Sequence, residues 1–146
     1  MSDQEMRESL DRHWMASNSG DFATEHDIYH EDAILDYPQS RERILGRHNI
    51  RITRTVQPNK KRFEVQRIVG SGNLWITELV LKYDDQPFYT VSIMEFRGSK
   101  VAHETQYFAA PFEAGESRKK CVVNMDSTGS VEDRGNPAGT FARPGC

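Results

Sequence analysis

Helices first and a long antiparallel meander after them, an α+β order, is what this chain predicts. Three observations carry that reading. Met6, Leu10 and Trp14 recur at i, i+4 and i+8 before Gly20 closes the run, the spacing of one helix face. Across residues 62–108, apolar and polar side chains alternate through four strand-like runs. Clusters of Gly, Asn, Asp and Pro separate those runs, where the chain must turn.

Ser2 and Glu5 form a capping-box signature at the start of the first helix. Asp21 is an N-cap for a second, shorter helix that carries Phe22, His26 and Tyr29 towards His30. The string DAILDY then reads as a short strand, ended by Pro38. Residues 47–56 are read as a third helix, although Gly46 precedes them and Ile50, Ile52, Thr53, Thr55 and Val56 are β-branched; Pro58 breaks it. Strands follow at residues 63–70, 74–83, 88–97 and 101–108, joined by turns at residues 70–73, 84–87 and 98–99. Beyond Phe112 the composition shifts to Gly, Ser and charge with little periodicity. The expected organisation is one domain over residues 1–114 and a tail over residues 115–146, flexible or packed on a partner subunit. Only Cys121, Val122 and Val123 offer an edge strand there.

The turns assign the faces. A two-residue loop at Gly98 and Ser99 pairs Arg97 with Lys100, Ile93 with Glu104 and Val91 with Gln106, and an even-length loop at residues 84–87 sets Glu78 opposite Ile93. One face then carries Ile76, Glu78, Val80, Tyr89, Val91, Ile93, Glu95, Glu104, Gln106 and Phe108. The other carries Thr77, Leu79, Leu81, Thr90, Ser92, Met94, Phe96, His103, Thr105 and Tyr107. Two carboxylates among apolar side chains are costly to bury without partners, so the first face either lines a ligand cavity or looks at water. Neither face is polar throughout, and a homodimer formed through the outer one is expected.

With 146 residues the chain is one domain long. Nineteen Lys and Arg against 22 Asp and Glu leave a net charge of −3, which argues against nucleic acid as a partner. No apolar run approaches the ~18 residues that span a bilayer, and the first residues are charged where a signal peptide is apolar. No membrane partner and a cytoplasmic location are expected. Cys121 and Cys146 form no CxxC pair, and no metal site is expected from them.

Two strings, YHEDAILDYPQSRERILGRHNI and VSIMEFRGSKVAHETQYFAAPFEA, resemble the nuclear transport factor 2-like superfamily, in particular its polyketide-cyclase-like (SnoaL-like) branch. The likeness runs from about residue 7 to residue 114. It implies a cone: a strongly curved mixed sheet, an α+β barrel, that wraps the N-terminal helices around a deep apolar pocket and needs no cofactor. Superfamily members include cyclases, dehydratases, isomerases, epoxide hydrolases and proteins with no catalytic role, so the fold alone names no reaction. In cyclase-like members the last long strand turns a His and an Asp, two residues apart, into the pocket. The matching positions here are Glu104 and Gln106. An amide exchanges no proton near neutral pH, so proton transfer falls to Glu104.

Burial on a pocket wall is expected to raise the pKa of Glu104 into the range of a general acid or base. Glu78 is a second carboxylate for the same wall. His13 and Trp14 lie on the helix bordering the cavity, Tyr37 and Gln39 near its mouth, and Tyr89, Val91, Ile93, Gln106 and Phe108 complete the expected pocket. His26 and His30 share the i, i+4 spacing of a helical metal pair but lack an evident third ligand. The run Arg41, Arg43, Arg47, Arg51, Arg54, Lys60, Lys61, Arg62 reads as a solvated face. The expected ligand is a small apolar molecule. The expected chemistry is cofactor-free proton transfer at a carbonyl compound: isomerisation, dehydration or aldol-type cyclisation. The alternative is a binding module without turnover. Water-mediated epoxide opening requires a carboxylate pair around an arginine, and the sequence assigns no arginine to the inner face.

Overall fold

The computed structural model describes residues 1–57 and 60–127. Pro58, most of the tail and Cys146 therefore lie outside the described residues. The chain divides into a unit spanning Met1–Pro111 and a second unit that begins at Phe112. Within the second, the described residues hold a short 3-10 turn at Glu116–Arg118, and the expected edge strand at Cys121, Val122 and Val123 does not form.

The first unit opens with α1 (Asp3–Ser19), where Ser2 Oγ accepts from the Glu5 amide at 3.1 Å while Glu5 accepts from the Ser2 amide at 2.7 Å. Gly20, with φ of 74°, ends it in a left-handed cap. The one-sided spacing of Met6, Leu10 and Trp14 buries all three. Asp21 caps α2 (Phe22–His26) through the Thr24 amide. That helix stops earlier than the sequence suggests, because Tyr29 is already strand: β1 (Tyr29–Tyr37) pairs in parallel with the last strand of the sheet, Tyr29 opposite Val101. After Pro38 the chain reverses into β2 (Glu42–Leu45), a strand the sequence did not announce, before α3 (Arg47–Thr55).

A meander of β3 (Lys61–Ser71), β4 (Leu74–Tyr83), β5 (Gln86–Arg97) and β6 (Lys100–Ala109) follows, giving a six-stranded mixed sheet in the order β2-β1-β6-β5-β4-β3. The edge strands β2 and β3 do not pair, so the sheet is open rather than a closed barrel. The β4–β5 turn is tighter than expected: Asp84 and Asp85, with φ of 48° and 68°, join Tyr83 to Gln86 directly. Parity is unchanged by this, and Glu78 faces Val91 instead of Ile93.

A bulge in β6 does change parity. Arg97 pairs with Lys100 and Phe96 with Val101, but Glu95 pairs with His103, leaving Ala102 as the extra residue. Every later residue of β6 is thereby moved to the opposite face from the one simple alternation assigns. Glu104 sits opposite Met94 and Gln106 opposite Ser92, in place of Ile93 and Val91. The helices cover this Leu79, Met94 and Glu104 face, and the core of Leu10, Trp14, Leu35, Ile50, Trp75 and Met94 lies between them. No described helix is long and apolar enough to cross a membrane.

Candidate functional site

Glu104 is 0 % exposed, at the centre of the inner face. Four donors saturate it. Tyr29 from β1 donates its hydroxyl to Oε1, which also receives Arg54 Nη2 at 3.3 Å; Ser92 Oγ and Gln106 Nε2 donate to Oε2 at 2.5 and 2.8 Å. Burial pushes the carboxyl pKa up, but the Arg54 guanidinium and the Ser92 and Tyr29 hydrogen bonds outweigh it and hold the pKa below its ordinary value. The expected rise towards neutrality does not occur, because the carboxylate acquires a cation and hydrogen bonds along with its burial.

Arg54 comes from α3. It lies one turn beyond the fully buried Ile50, so the face that anchors the helix also carries the guanidinium inward. Its side chain is 13 % exposed, stacks over the Tyr29 ring at 5.4 Å, and donates from Nη1 to the Tyr29 hydroxyl at 3.0 Å. On its other side Glu25 Oε2 of α2 approaches Nη1 at 3.8 Å. Desolvation disfavours the Arg54 cation, but Tyr29, Glu104, Tyr37 and Glu25 more than offset this, so it stays charged. Lys61 Nζ donates to the Arg54 carbonyl at 2.7 Å. An arginine held between two carboxylates thus occupies the interior to which the sequence assigned none.

Beside this cluster lies an inner chamber of ≈ 50 Å³, bordered by Trp14, Glu25, Tyr37, Arg54, Thr90 and Gln106. A vestibule of ≈ 280 Å³ shares Tyr37, Arg54, Lys61, Leu81, Tyr83 and Gln106 with it, and Phe88 and Phe108 extend it outward. The walls are mixed where an apolar pocket is expected: Ile44, Leu81, Phe88 and Phe108 stand beside Glu42, Thr53, Gln57, Lys61 and Gln106, and the Arg54 cation borders both spaces. Burial raises the pKa of the Tyr37 hydroxyl, with the guanidinium acting against that, so the phenol keeps its proton as a donor.

The fold brings Glu104, Trp14, Tyr37, Gln106 and Phe108 to this region. Trp14 Nε1 donates to Thr77 Oγ1 at 3.2 Å, and Phe108 meets Tyr37 edge-on at 5.6 Å. Gln39 stands outside the chamber and vestibule, where its Oε1 accepts from the Phe108 amide at 2.6 Å and ties the β1–β2 turn to the end of β6. His13 is buried against Trp14 and Tyr29 and donates Nδ1–H to the Glu25 carbonyl at 2.6 Å; burial lowers its pKa to about 4, so it packs as a neutral ring. Glu78, Tyr89, Val91 and Ile93 are on the outer face, because the Ala102 bulge separates their row from Glu104. Glu78 is 47 % exposed and pairs with Arg67 at 3.4 Å, and Tyr89 is 58 % exposed. His103 stays opposite Glu104, pairing outside with Asp36 at 2.8 Å.

His26 and His30 do not share a helix face, since His30 belongs to β1. Each ring instead donates to a backbone carbonyl, of Phe22 and of Arg97. Among the described residues, no three His, Cys, Asp or Glu side chains cluster as metal ligands. Sequence reasoning missed Arg54 and Glu25. A helix-phase count from Ile50 gives a signal for Arg54, whereas the five-residue α2 is too short to give one for Glu25.

No protein-family model matches the chain, and no curated protein matches it. Among solved structures, an NTF-2 like protein of unknown function from Burkholderia xenovorans LB400 is 57% identical, with 86% of this chain and 98% of that chain covered at a TM-score of 0.78. The chain belongs to the nuclear transport factor 2-like superfamily. Within that superfamily's fold, a putative ketosteroid isomerase from Kribbella flavida DSM 17836 is 20% identical over 88% of this chain and 96% of that one, with a TM-score of 0.79. An LEH-like epoxide hydrolase from M. tuberculosis is 19% identical over 73% and 84%, with a TM-score of 0.62. At these identities the two share the fold and carry no residue role across.

Proposed function

We propose that this NTF2-like domain takes up a small, largely apolar carbonyl compound, with its oxygen directed at Arg54 and Tyr37, and that its turnover is cofactor-free proton transfer. The observation that carries this reading is a buried guanidinium that borders both the inner chamber and the vestibule, close to the apolar side chains of Leu81, Phe88 and Phe108. A cation in such a place favours a ligand oxygen that gathers negative charge, as an enolate does. Isomerisation, dehydration and aldol-type cyclisation all pass through that charge. Epoxide opening also uses an arginine between carboxylates, but it needs a proton for the ring oxygen, and Glu104 is held ionised.

A binding module without turnover is the second reading. It is favoured by the saturation of Glu104, which leaves that carboxylate no lone pair for a substrate. The same site serves both readings. Titration with 1-tetralone and with tetralin, which lacks only the carbonyl oxygen, tests them together by amide chemical-shift changes. Saturable shifts around Leu81, Phe88 and Gln106, stronger for the ketone, are the expected result. Shifts confined to the outer face, or none, overturn the assignment of the pocket.

A second copy of the chain is proposed to cover the outer face of the sheet, where Ile76, Val80, Val91 and Ile93 alternate with polar residues and Tyr89 and Tyr107 are exposed.

A further inference from the structure

We propose that Glu25, not Glu104, is the proton acceptor of this cavity, and that its substrates are ketones bearing a C–H bond next to the carbonyl. The inference rests on the carbonyl-compound reading above and names the residue that would act in it.

The two interior carboxylates are placed differently. Glu104 receives four donors, has no exposure, and does not border the chamber. Glu25 is just as deeply placed, at 3 % exposure, yet among the described residues its carboxylate has no hydrogen-bond donor; its one close partner is Arg54 Nη1, at an ion-pair distance of 3.8 Å. It borders the chamber together with Tyr37 and Gln106. A buried carboxylate with open lone pairs facing a cavity has the acceptor capacity that a base needs. Its backbone is held as well: the Glu25 carbonyl receives His13 Nδ1–H, and its amide donates to Asp21.

The step balances without a further reactant. The C–H bond next to the carbonyl breaks, the proton passes to a Glu25 oxygen, and the electron pair forms an enolate whose oxygen is met by the Tyr37 hydroxyl and the Arg54 cation. Return of the proton to the same carbon regenerates the ketone, and return to a conjugated carbon isomerises an unsaturated one. Glu104 acts through Arg54, as a positioning residue. The ≈ 50 Å³ chamber admits the reacting end alone, while the ≈ 280 Å³ vestibule holds the body of the molecule.

The test is deuterium uptake at C2 of 1-tetralone in heavy water, followed by proton NMR, with binding measured on the same samples. Wild-type protein is expected to bind the ketone and catalyse the exchange. Glu25→Gln should slow exchange by about 100-fold or more with affinity changed less than about threefold. Glu78→Gln, on the outer face, should leave it unchanged. Glu25→Asp, which keeps the charge but withdraws it, should slow exchange at least about tenfold, and decides the matter if Glu25→Gln does not fold. Wild-type exchange in a folded Glu25 variant, or its loss in Glu104→Gln alone, overturns the proposal. Binding without exchange in the wild type overturns it too and leaves the binding module standing, whereas absence of binding removes the carbonyl-compound reading itself.

Discussion

Glu104 of β6 and Arg54 of α3 meet at 3.3 Å inside the domain, joining the last long strand to the helix that closes over the sheet. Removing the cation leaves the buried Glu104 carboxylate with three neutral donors, Tyr29, Ser92 and Gln106, and without its countercharge. Arg54→Met is expected to destabilise the protein by about 3–5 kcal/mol in urea unfolding. Adding Glu104→Leu to that variant should recover part of the loss, because the stranded charge goes with it.

Acid should weaken the fold before the carboxylates titrate. The unfolded chain protonates His13 near 6.5, whereas the buried native ring does so only near 4. Between those values the unfolded state binds the extra proton, so stability falls as pH drops from 6.5 to 4, by about 3 kcal/mol for this one group. His26, also lowered to about 4 by burial, acts in the same direction. The depressed pKa of Glu104 works lower down: its stabilisation is intact above the ordinary carboxylate value and is lost as pH falls through the native one. Urea titrations at pH 7 and pH 4 read the difference, and His13→Gln should narrow it.

The bulge at Ala102 should tolerate deletion. Without Ala102, Val101 stays opposite Phe96, His103 opposite Glu95 and Glu104 opposite Met94, so the carboxylate remains inside against Arg54. Retention of the near-UV circular dichroism of the native fold is the expected outcome. A deletion variant that loses it would contradict the assigned register.

Ile93→Glu places a charge in the outer apolar row. If a second copy seats there, sedimentation velocity should shift from dimer to monomer while the unfolding midpoint of the monomer changes little. A wild-type protein that sediments as a monomer at all concentrations contradicts the dimer.

Much of this fold was legible in sequence, for reasons particular residues make clear. Ser2 with Glu5, Gly20 and the i, i+4 stripe of Met6, Leu10 and Trp14 are local signals, and local signals mark α1 correctly. The four meander strands follow from alternation and turn residues. Glu104 was picked out as an interior carboxylate, but its neighbours were misassigned, since the Ala102 bulge leaves no mark in the alternation of KVAHETQYF. Tyr29 was read as helix because its strand partner, Val101, is distant in sequence. Arg54 and Glu25 were hidden for a different reason. Each is a charged residue on a short helix, normally solvated, and only their mutual neutralisation with Glu104 across three elements makes burial tolerable.

The most direct measurement is a crystal structure of the protein soaked with 1-tetralone. The account predicts the ketone in the vestibule, its oxygen within hydrogen-bond distance of Tyr37 or Arg54 and its C2 turned to Glu25. A ketone seated with its oxygen away from both residues, or bound only on the outer face of the sheet, would contradict it.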